Sequence, residues 1–332
     1  MATVRDVAKL AGVSPITVSR VINNAGYISD ETRGRVEEAI RQLGYVPNTL
    51  ARSLRLRQTN TLALVLTDIT NPFWTTVVRG VEDAASDAGF NVILCNTDES
   101  EVEQEKYLNV LLQKRVDGVL LVPVRCTRET VQIILNQNVP LVILDRHIPG
   151  VEVDSVRCDS VGGGYDLVRL LLAKGHCKIA MLSGPQGVSS ADDRVAGYHR
   201  ALADAGLNLH NELVFYGEFT QASGYSMMKQ ALAVEPHLSA IFGGNNFITM
   251  GAFKAARDAG LCVPEDIAMV GFDDLPVELV IDPFFTVAAQ PAYEMGKQAT
   301  ELLLAHIAGQ DIPQFQEIIL PTEIIVRRSS GN

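Results

Sequence analysis

Asp6-Val-Ala-Lys-Leu-Ala-Gly-Val-Ser-Pro-Ile-Thr-Val-Ser-Arg-Val-Ile-Asn-Asn24 is the stretch whose reading decides the fold of the amino-terminal region. Its apolar residues recur at helical spacing on both sides of Gly12-Val-Ser14, and glycine is the residue type that closes a helix in the left-handed region. Val4, Val7, Ala8 and Leu10–Ala11 form the apolar face of the first helix. Ser14 is an N-cap, and Pro15 takes a first helical position, where its missing N–H costs nothing. The second helix, Pro15 to Asn23, buries Val18, Val21 and Ile22, leaving Ile16, Thr17, Ser19, Arg20 and Asn23 for other faces. Two short helices joined by a tight turn suit a helix-turn-helix, whose second helix is placed to enter a DNA major groove, with a plain helical hairpin as the alternative. Ser29 caps a third helix, Asp30 to Leu43, with Asp30 and Glu31 at the positive end of its dipole and Gly44 at its close. Tyr45-Val-Pro47 then leads to Asn48, another cap, and to a short segment containing Arg52, Arg55 and Arg57.

Charge divides the chain at the same place. Residues 1–60 hold nine Lys/Arg against five Asp/Glu, a balance of +4, which leaves −15 on the remainder of a 332-residue chain whose total is −11. A small basic head suits phosphate and an acidic body does not, though on charge alone an ordinary basic helical end is the equal alternative. With 47% hydrophobic and 20% charged residues the chain can bury a sizeable core, which excludes wholesale disorder. No apolar run approaches the ~20 residues of a membrane helix. Met1 to Lys9 has neither a secretory apolar core nor a cleavage site, so a cytoplasmic location and no membrane are expected. Cys95, Cys126, Cys158, Cys177 and Cys262 form no C-x-x-C pair, and the six histidines show no metal-ligand spacing, so neither a metal nor a cofactor is expected.

From Thr61 onward, runs of strand length alternate with amphipathic helices: Leu62–Leu66, Asn91–Cys95, Gly118–Val122, Leu141–Leu144, Ile179–Leu182, Leu213–Tyr216, Ala240–Phe242 and Ala268–Gly271. Continuous Val/Ile/Leu runs between helices indicate parallel strands covered on both faces. There are too many for one sheet. Crossings near Asp154–Asp159, Ala289–Pro291 and Gln316–Leu320 predict a two-lobed α/β body of doubly wound parallel sheets with a cleft between the lobes. The expected organisation is a head over 1–47, a hinge and linker over 48–60, and a body over 61–332. Within the body, lobe 1 spans about 61–158 and 290–317 and lobe 2 about 159–289 and 318–332.

The string from Thr3 to Asn24, with Ser29-Asp-Glu-Thr-Arg33 and Leu43-Gly-Tyr-Val-Pro-Asn48, resembles the head of the lactose-repressor (LacI/GalR) family of bacterial transcription regulators. Asn71-Pro-Phe73, Val116-Asp-Gly118, Arg194-Val-Ala-Gly-Tyr198, Val263-Pro-Glu-Asp266, Gly271-Phe-Asp273 and Gln290-Pro291 extend the resemblance, in order, over nearly the whole chain. It implies a helix-turn-helix head on a periplasmic-binding-protein-like body, and a homodimeric repressor of a pseudo-palindromic operator. A small effector, a sugar or sugar derivative, would modulate it by changing the angle between the lobes. It carries base reading to Pro15, Ile16 and Arg20, with Ser14, Thr17, Ser19 and Asn23 as nearby base or phosphate contacts. Thr3 falls within the matched string, and Ser29, Thr32 and Tyr45 match backbone clamps. Pro15 and Ile16 offer only shape or a contact to a thymine methyl, which makes Arg20 the direct base reader, with a phosphate contact as its alternative. Asn48-Thr-Leu-Ala51-Arg-Ser-Leu54-Arg55 resembles the family's hinge helix, too short to be stable alone, with Leu54 as the minor-groove wedge and Arg52 and Arg55 near phosphates. No leucine heptad follows the last strand, so the family's tetramerising helix is not expected.

In the body, Asn71, Phe73, Trp74, Asp145, Arg146, Arg194, Phe219, Asn245, Asp273 and Gln290 match effector-holding positions. Aromatic faces beside amides and carboxylates suit a sugar ring. The same residues also have plain structural readings: Phe73 as core, Asp145–Arg146 as an ion pair, Asp273 as a helix cap. Asn246 stands where the family often has an acid, which loosens the match to any specific sugar. A nucleoside or purine effector is the alternative. A secreted sugar receptor has no use for residues 1–60. Gly162-Gly-Gly164 lacks the spacing of a dinucleotide-binding loop, and no Ser/His/Asp set has catalytic spacing, so an enzyme has no support.

Overall fold

The computed structural model describes residues 2–22, 24–46, 58–207, 211–275, 282–310, 313 and 315–331. Its contacts divide the chain into two units, 1–59 and 60–332.

The first unit contains helices α1 (Val4–Ala11), α2 (Pro15–Ile22) and α3 (Asp30–Leu43). Thr3 and Asp6 cap α1 reciprocally: Thr3 Oγ1 accepts from Asp6 N, and Asp6 Oδ2 accepts from Thr3 N at 2.8 Å. Gly12 and Gly44 end α1 and α3 with positive φ. Val7, Ala8, Ala11, Val18, Val21, Val36 and Ala39 make the core of this unit. Leu10 departs from expectation and is 50% exposed. At 3.6 residues per turn Val7, Ala8 and Ala11 cluster on one side of α1, and Leu10, two positions after Ala8, projects nearly opposite it.

The second unit holds two six-stranded sheets. The chain enters through β1 (Thr61–Leu66), α4 (Pro72–Asp87), β2 (Asn91–Asn96), α5 (Glu101–Gln113), β3 (Gly118–Leu121), α6 (Arg128–Leu135), β4 (Leu141–Leu144) and β5 (Asp154–Cys158). It crosses to α7 (Ser160–Ala173), β6 (Ile179–Ser183), α8 (Ser189–Asp204), β7 (Val214–Tyr216), α9 (Gln221–Val234), β8 (Ala240–Gly243), α10 (Asn246–Asp258), β9 (Ala268–Phe272) and β10 (Thr286–Ala289). It then returns through α11 (Ala292–Ile307) and β11 (Glu317–Leu320) and crosses once more to β12 (Glu323–Ile325). The sheet orders are β11-β5-β4-β3-β1-β2 and β12-β10-β9-β8-β6-β7. All pairs are parallel except β10 with β12, which is antiparallel, so the second sheet is not wholly parallel as expected. The lobe boundary expected at 317/318 falls inside β11, whose residues pair with β5 in the first sheet, so the last crossing follows Leu320.

Strands β3, β4, β6, β8 and β9 are buried along their whole length, as sheets covered on both faces require. The helices covering them approach closely at glycines. A Cβ on Gly80 of α4 would lie 2.1 Å from Tyr293 O, and one on Gly296 of α11 would lie 2.1 Å from Val77 O. This contact fastens the returning helix to the first lobe, where Val77, Val81, Met295, Ala299 and Leu303 share one core. Gly162-Gly-Gly164 serves packing too: Gly162 N donates to the Asp159 cap at 2.8 Å, and a Cβ on Gly164 would lie 2.9 Å from Arg194 O.

Gly296→Ala should force α4 and α11 apart. Overpacking of this kind costs about 1–3 kcal/mol, or about 2–4 °C of melting temperature per kcal/mol. An unchanged melting curve would mean that the interhelical contact is soft.

Candidate functional site

Loops at the carboxyl ends of strands in both sheets enclose a cavity of about 660 Å³ between the lobes. All ten body residues singled out in the sequence line it: Asn71, Phe73, Trp74, Asp145, Arg146, Arg194, Phe219, Asn245, Asp273 and Gln290. Thr67, Asp68, Thr70, Asp98, Glu99, Ser190, Glu218 and Thr220 line it as well and were missed. Seven of these follow β1, β2 or β7 in the chain, so the strand-end rule applied evenly would have found them.

The first-lobe wall is organised by Arg146, 2% exposed. Its Nη1 donates to Glu99 Oε2 at 3.0 Å and to Pro123 O at 2.7 Å, and its Nη2 donates to Glu99 Oε1 at 2.5 Å. Glu99, not the adjacent Asp145, is therefore its direct partner. Burial disfavours the Arg146 charge, and the Glu99 carboxylate more than restores it, so the pKa moves up. Phe219 lies 5.9 Å from the Arg146 guanidinium, on a flat seat left by Gly184, where a Cβ would meet the ring at 2.2 Å.

The second-lobe wall repeats the device. Arg194, 3% exposed, stacks 3.9 Å over the Phe272 ring and donates from Nη1 to Gly244 O at 2.7 Å. Asp145 and Asp273 follow β4 and β9 with φ of 62° and 68°, a left-handed backbone that aspartate tolerates better than most residues. Asp273 accepts from Gln290 Nε2 at 2.5 Å rather than capping a helix among the described residues. Burial pushes its carboxyl above the usual range; Arg194 and Gln290 partly offset this, and Asp145 adds to it. Among the described residues, Arg146 Nε, Arg194 Nε and Gln290 Oε1 are buried without a hydrogen-bond partner. The cavity thus presents donors and acceptors interleaved beside aromatic rings. Phe73 and Trp74 meet edge to face, with centroids 4.8 Å apart and planes at 68°. Phe73 is both core and cavity wall.

Hydrogen bonds tie the lobes across the cleft. Asn71 Nδ2 donates to Asn246 Oδ1 at 3.0 Å, and Asn246 Nδ2 donates to Asn71 Oδ1 at 2.9 Å, both side chains being buried. The amide at 246 makes the pair reciprocal, because an ionised acid there can only accept. On the far side Ser189 Oγ accepts from His147 N at 2.9 Å, and Ser189 N donates to Cys126 Sγ at 3.4 Å.

In the first unit, Ile16 and Arg20 lie four residues apart on α2, both exposed, Ile16 by 69%. Pro15 and Ser14 are exposed, and Thr17 and Ser19 are half-buried. Ser14 Oγ accepts from Thr17 N at 3.1 Å, and Ser29 Oγ accepts from Thr32 N at 3.4 Å, so both hydroxyls cap helices. Tyr45 is half-buried. Asn23, Asn48, Ala51, Arg52, Leu54 and Arg55 lie outside the described residues, and the hinge helix with them. Among the described residues no His, Cys, Asp and Glu group is arranged to hold a metal ion, and no helix is long and apolar enough to cross a membrane.

Residues 59–327 match the family described as periplasmic binding proteins and sugar binding domain of LacI family, and residues 3–48 match bacterial regulatory proteins, lacI family. The chain is 38% identical over 332 residues to the ribose operon repressor of Escherichia coli K12, covering 100% of both. It is similar to the transcriptional regulator CelR in its cellobiose complex, with 36% identity, 99% and 100% coverage and a TM-score of 0.75. It is also similar to the lac repressor dimer bound to operator and an anti-inducer, with 27% identity, 99% coverage of each chain and a TM-score of 0.87.

Two outcomes are expected from this geometry. A raised folded-state pKa means that Asp273 supports stability when protonated, and that this support is lost as pH rises through the raised value. Asp273→Asn should therefore melt higher than the parent at neutral pH, the gap closing as pH falls toward ~3.9, the ordinary aspartate value; a lower melting point at neutral pH contradicts this. Asn246→Ala strands the buried Asn71 amide, at a cost of about 1–3 kcal/mol, and should widen the cleft. Small-angle scattering and melting that both match the parent would show that the pair holds nothing.

Proposed function

The chain belongs to the LacI family of bacterial regulatory proteins, and from that premise we propose a homodimeric transcriptional repressor whose hold on a pseudo-palindromic operator is changed by a carbohydrate in the interlobe cleft. The family is one of regulators rather than enzymes. One observation carries the effector reading: buried Arg146, Arg194 and Gln290, each with an unpartnered polar atom, line the same cavity as the carboxylates Asp145 and Asp273 and the rings of Trp74 and Phe219. Hydroxyls both donate and accept, so a ring carrying several of them satisfies such a wall, while its C–H face lies on the aromatic surface. A purine base, the second reading, would stack parallel to an aromatic face, and at 68° Phe73 and Trp74 cannot both stack on one base. The names of the ribose operon repressor and the CelR–cellobiose complex point the same way.

On DNA, Arg20 is the direct base reader and Ile16 and Pro15 supply shape and methyl contact, with Ser14, Thr17, Ser19 and Asn23 beside them. Thr3, Ser29, Thr32 and Tyr45 hold the backbone. Asn48, Ala51, Leu54 and Arg55 act in the minor groove, with Leu54 as wedge. The effector exerts control through unequal affinity for two lobe arrangements, a coupling of typically ~1–3 kcal/mol. Such a regulator works on the chromosome, in the bacterial cytoplasm.

Operator titrations test this directly. Affinity should fall steeply with salt, and Arg20→Ala should relax discrimination at one base pair by about 1–3 kcal/mol. A sugar that raises the melting temperature should also shift operator affinity. Salt-insensitive binding, or operator affinity that ignores every stabilising sugar, refutes the proposal.

A further inference from the structure

We propose that Glu99 sets the charge selectivity of the cleft, admitting an uncharged sugar and excluding its phosphorylated and acidic derivatives. This rests on the carbohydrate reading of the cavity.

A buried arginine at a ligand wall ordinarily favours phosphate or carboxylate, because its planar fork meets two oxygens at once. Here the end-on fork is taken, and its charge is already matched. Both Nη atoms of Arg146 go to the two oxygens of Glu99, and Nη1 also meets Pro123 O, so an incoming anion finds this guanidinium paired with a carboxylate. The turn that delivers Glu99 is held against its own preference: Asp98 and Glu99 have consecutive φ of 50° and 55°, and neither is glycine. A left-handed pair of this kind persists only where surrounding contacts fix it. Asn96 Nδ2 to Asp98 Oδ1 at 2.6 Å and the Arg146–Glu99 pair supply those contacts. Glu99 itself remains 25% exposed and lines the cavity, so its carboxylate is within reach of an incoming group.

The other anion-attracting features are partly answered by protein groups. Arg194 has one face on Phe272, its Nη1 on Gly244 O and its charge set against the Asp273 carboxylate. Three helices that begin at the cavity have side-chain caps, Asn71 on Phe73 N, Asn245 on Ile248 N and Thr220 on Ser223 N, whereas α8, whose Ser190 lines the cavity, has none. Such N–H groups are the donors a phosphate would seek. The described lining includes no lysine, and its carboxylates outnumber its two arginines. A phosphate at this wall would sit beside the Glu99 carboxylate, like charge against like. A hydroxyl can donate to Glu99 and leave the pair intact.

The test is calorimetry on the full chain with D-ribose, D-glucose and D-galactose against ribose 5-phosphate, glucose 6-phosphate and galactose 1-phosphate. For whichever sugar binds, its phosphate should bind about 100-fold more weakly or worse, since like charges forced together cost several kcal/mol. Glu99→Gln keeps the shape, frees part of the Arg146 fork and should narrow that ratio by about tenfold or more, chiefly by strengthening the phosphate. Glu99→Ala, checked by melting, serves if the glutamine variant does not fold, and Glu218→Gln removes a cavity charge without touching Arg146 and should narrow the ratio less. A phosphate that matches its parent sugar in the unmodified protein, or a ratio unmoved by both Glu99 variants, overturns the inference alone. Binding of none of the six by protein that still binds operator overturns the carbohydrate reading, and this inference with it.

Discussion

Two guanidinium groups lie beneath the cleft, 2% and 3% exposed, and a charge so placed must be met by protein groups because water cannot reach it. Much of the second unit's cleft architecture follows from that requirement. Arg146 needs an acid, and the chain bends twice into the left-handed region after β2 to bring Glu99 to it. Arg194 needs a carbonyl and an aromatic face, supplied by Gly244 at the end of β8 and Phe272 at the end of β9. Asp273 stays in the same neighbourhood despite its burial because Arg194 and Gln290 both favour its charged form. The cavity wall and the buried electrostatics are one structure.

That structure spans two lobes that the chain does not complete in turn. The first sheet receives its last strand, β11, only after β10 has joined the second, and β12 then returns to the second sheet. The reciprocal amides of Asn71 and Asn246 and the bonds from His147 and Cys126 to Ser189 therefore join bodies already stitched by three crossings. Closing the cleft is a matter of a few hydrogen bonds, each worth on the order of 1 kcal/mol. An interaction of that size is the right scale for a small ligand to bias.

Much of this was legible in the residues. Continuous apolar runs such as Leu141–Leu144 and Ala240–Phe242 can only be strands covered on both faces, and the two-sheet body follows from their number. The ten residues that the family resemblance marked all lie on the cavity wall, and nearly all of them follow strand ends. Glu99, Asp98 and Glu218 escaped because an acid in a polar turn reads as a solvated loop; only the fold shows that the turn folds back onto a buried arginine. Leu10 misled because hydrophobicity alone does not say which side of a two-turn helix faces inward. The lobe boundary slipped by three residues because β11 and β12 are separated only by a two-residue link, and their apolar runs read as one.

The interleaved order of the sheets has a consequence during translation. The helical head, with its own core, is complete once Gly44 has left the ribosome. The first lobe cannot close its sheet until Leu320 emerges, and the second waits for β12. A nascent chain therefore carries a finished reader for most of its synthesis while the receptor that governs it is still unfinished. Premature termination anywhere across a long stretch of the message would release the reader without its governor.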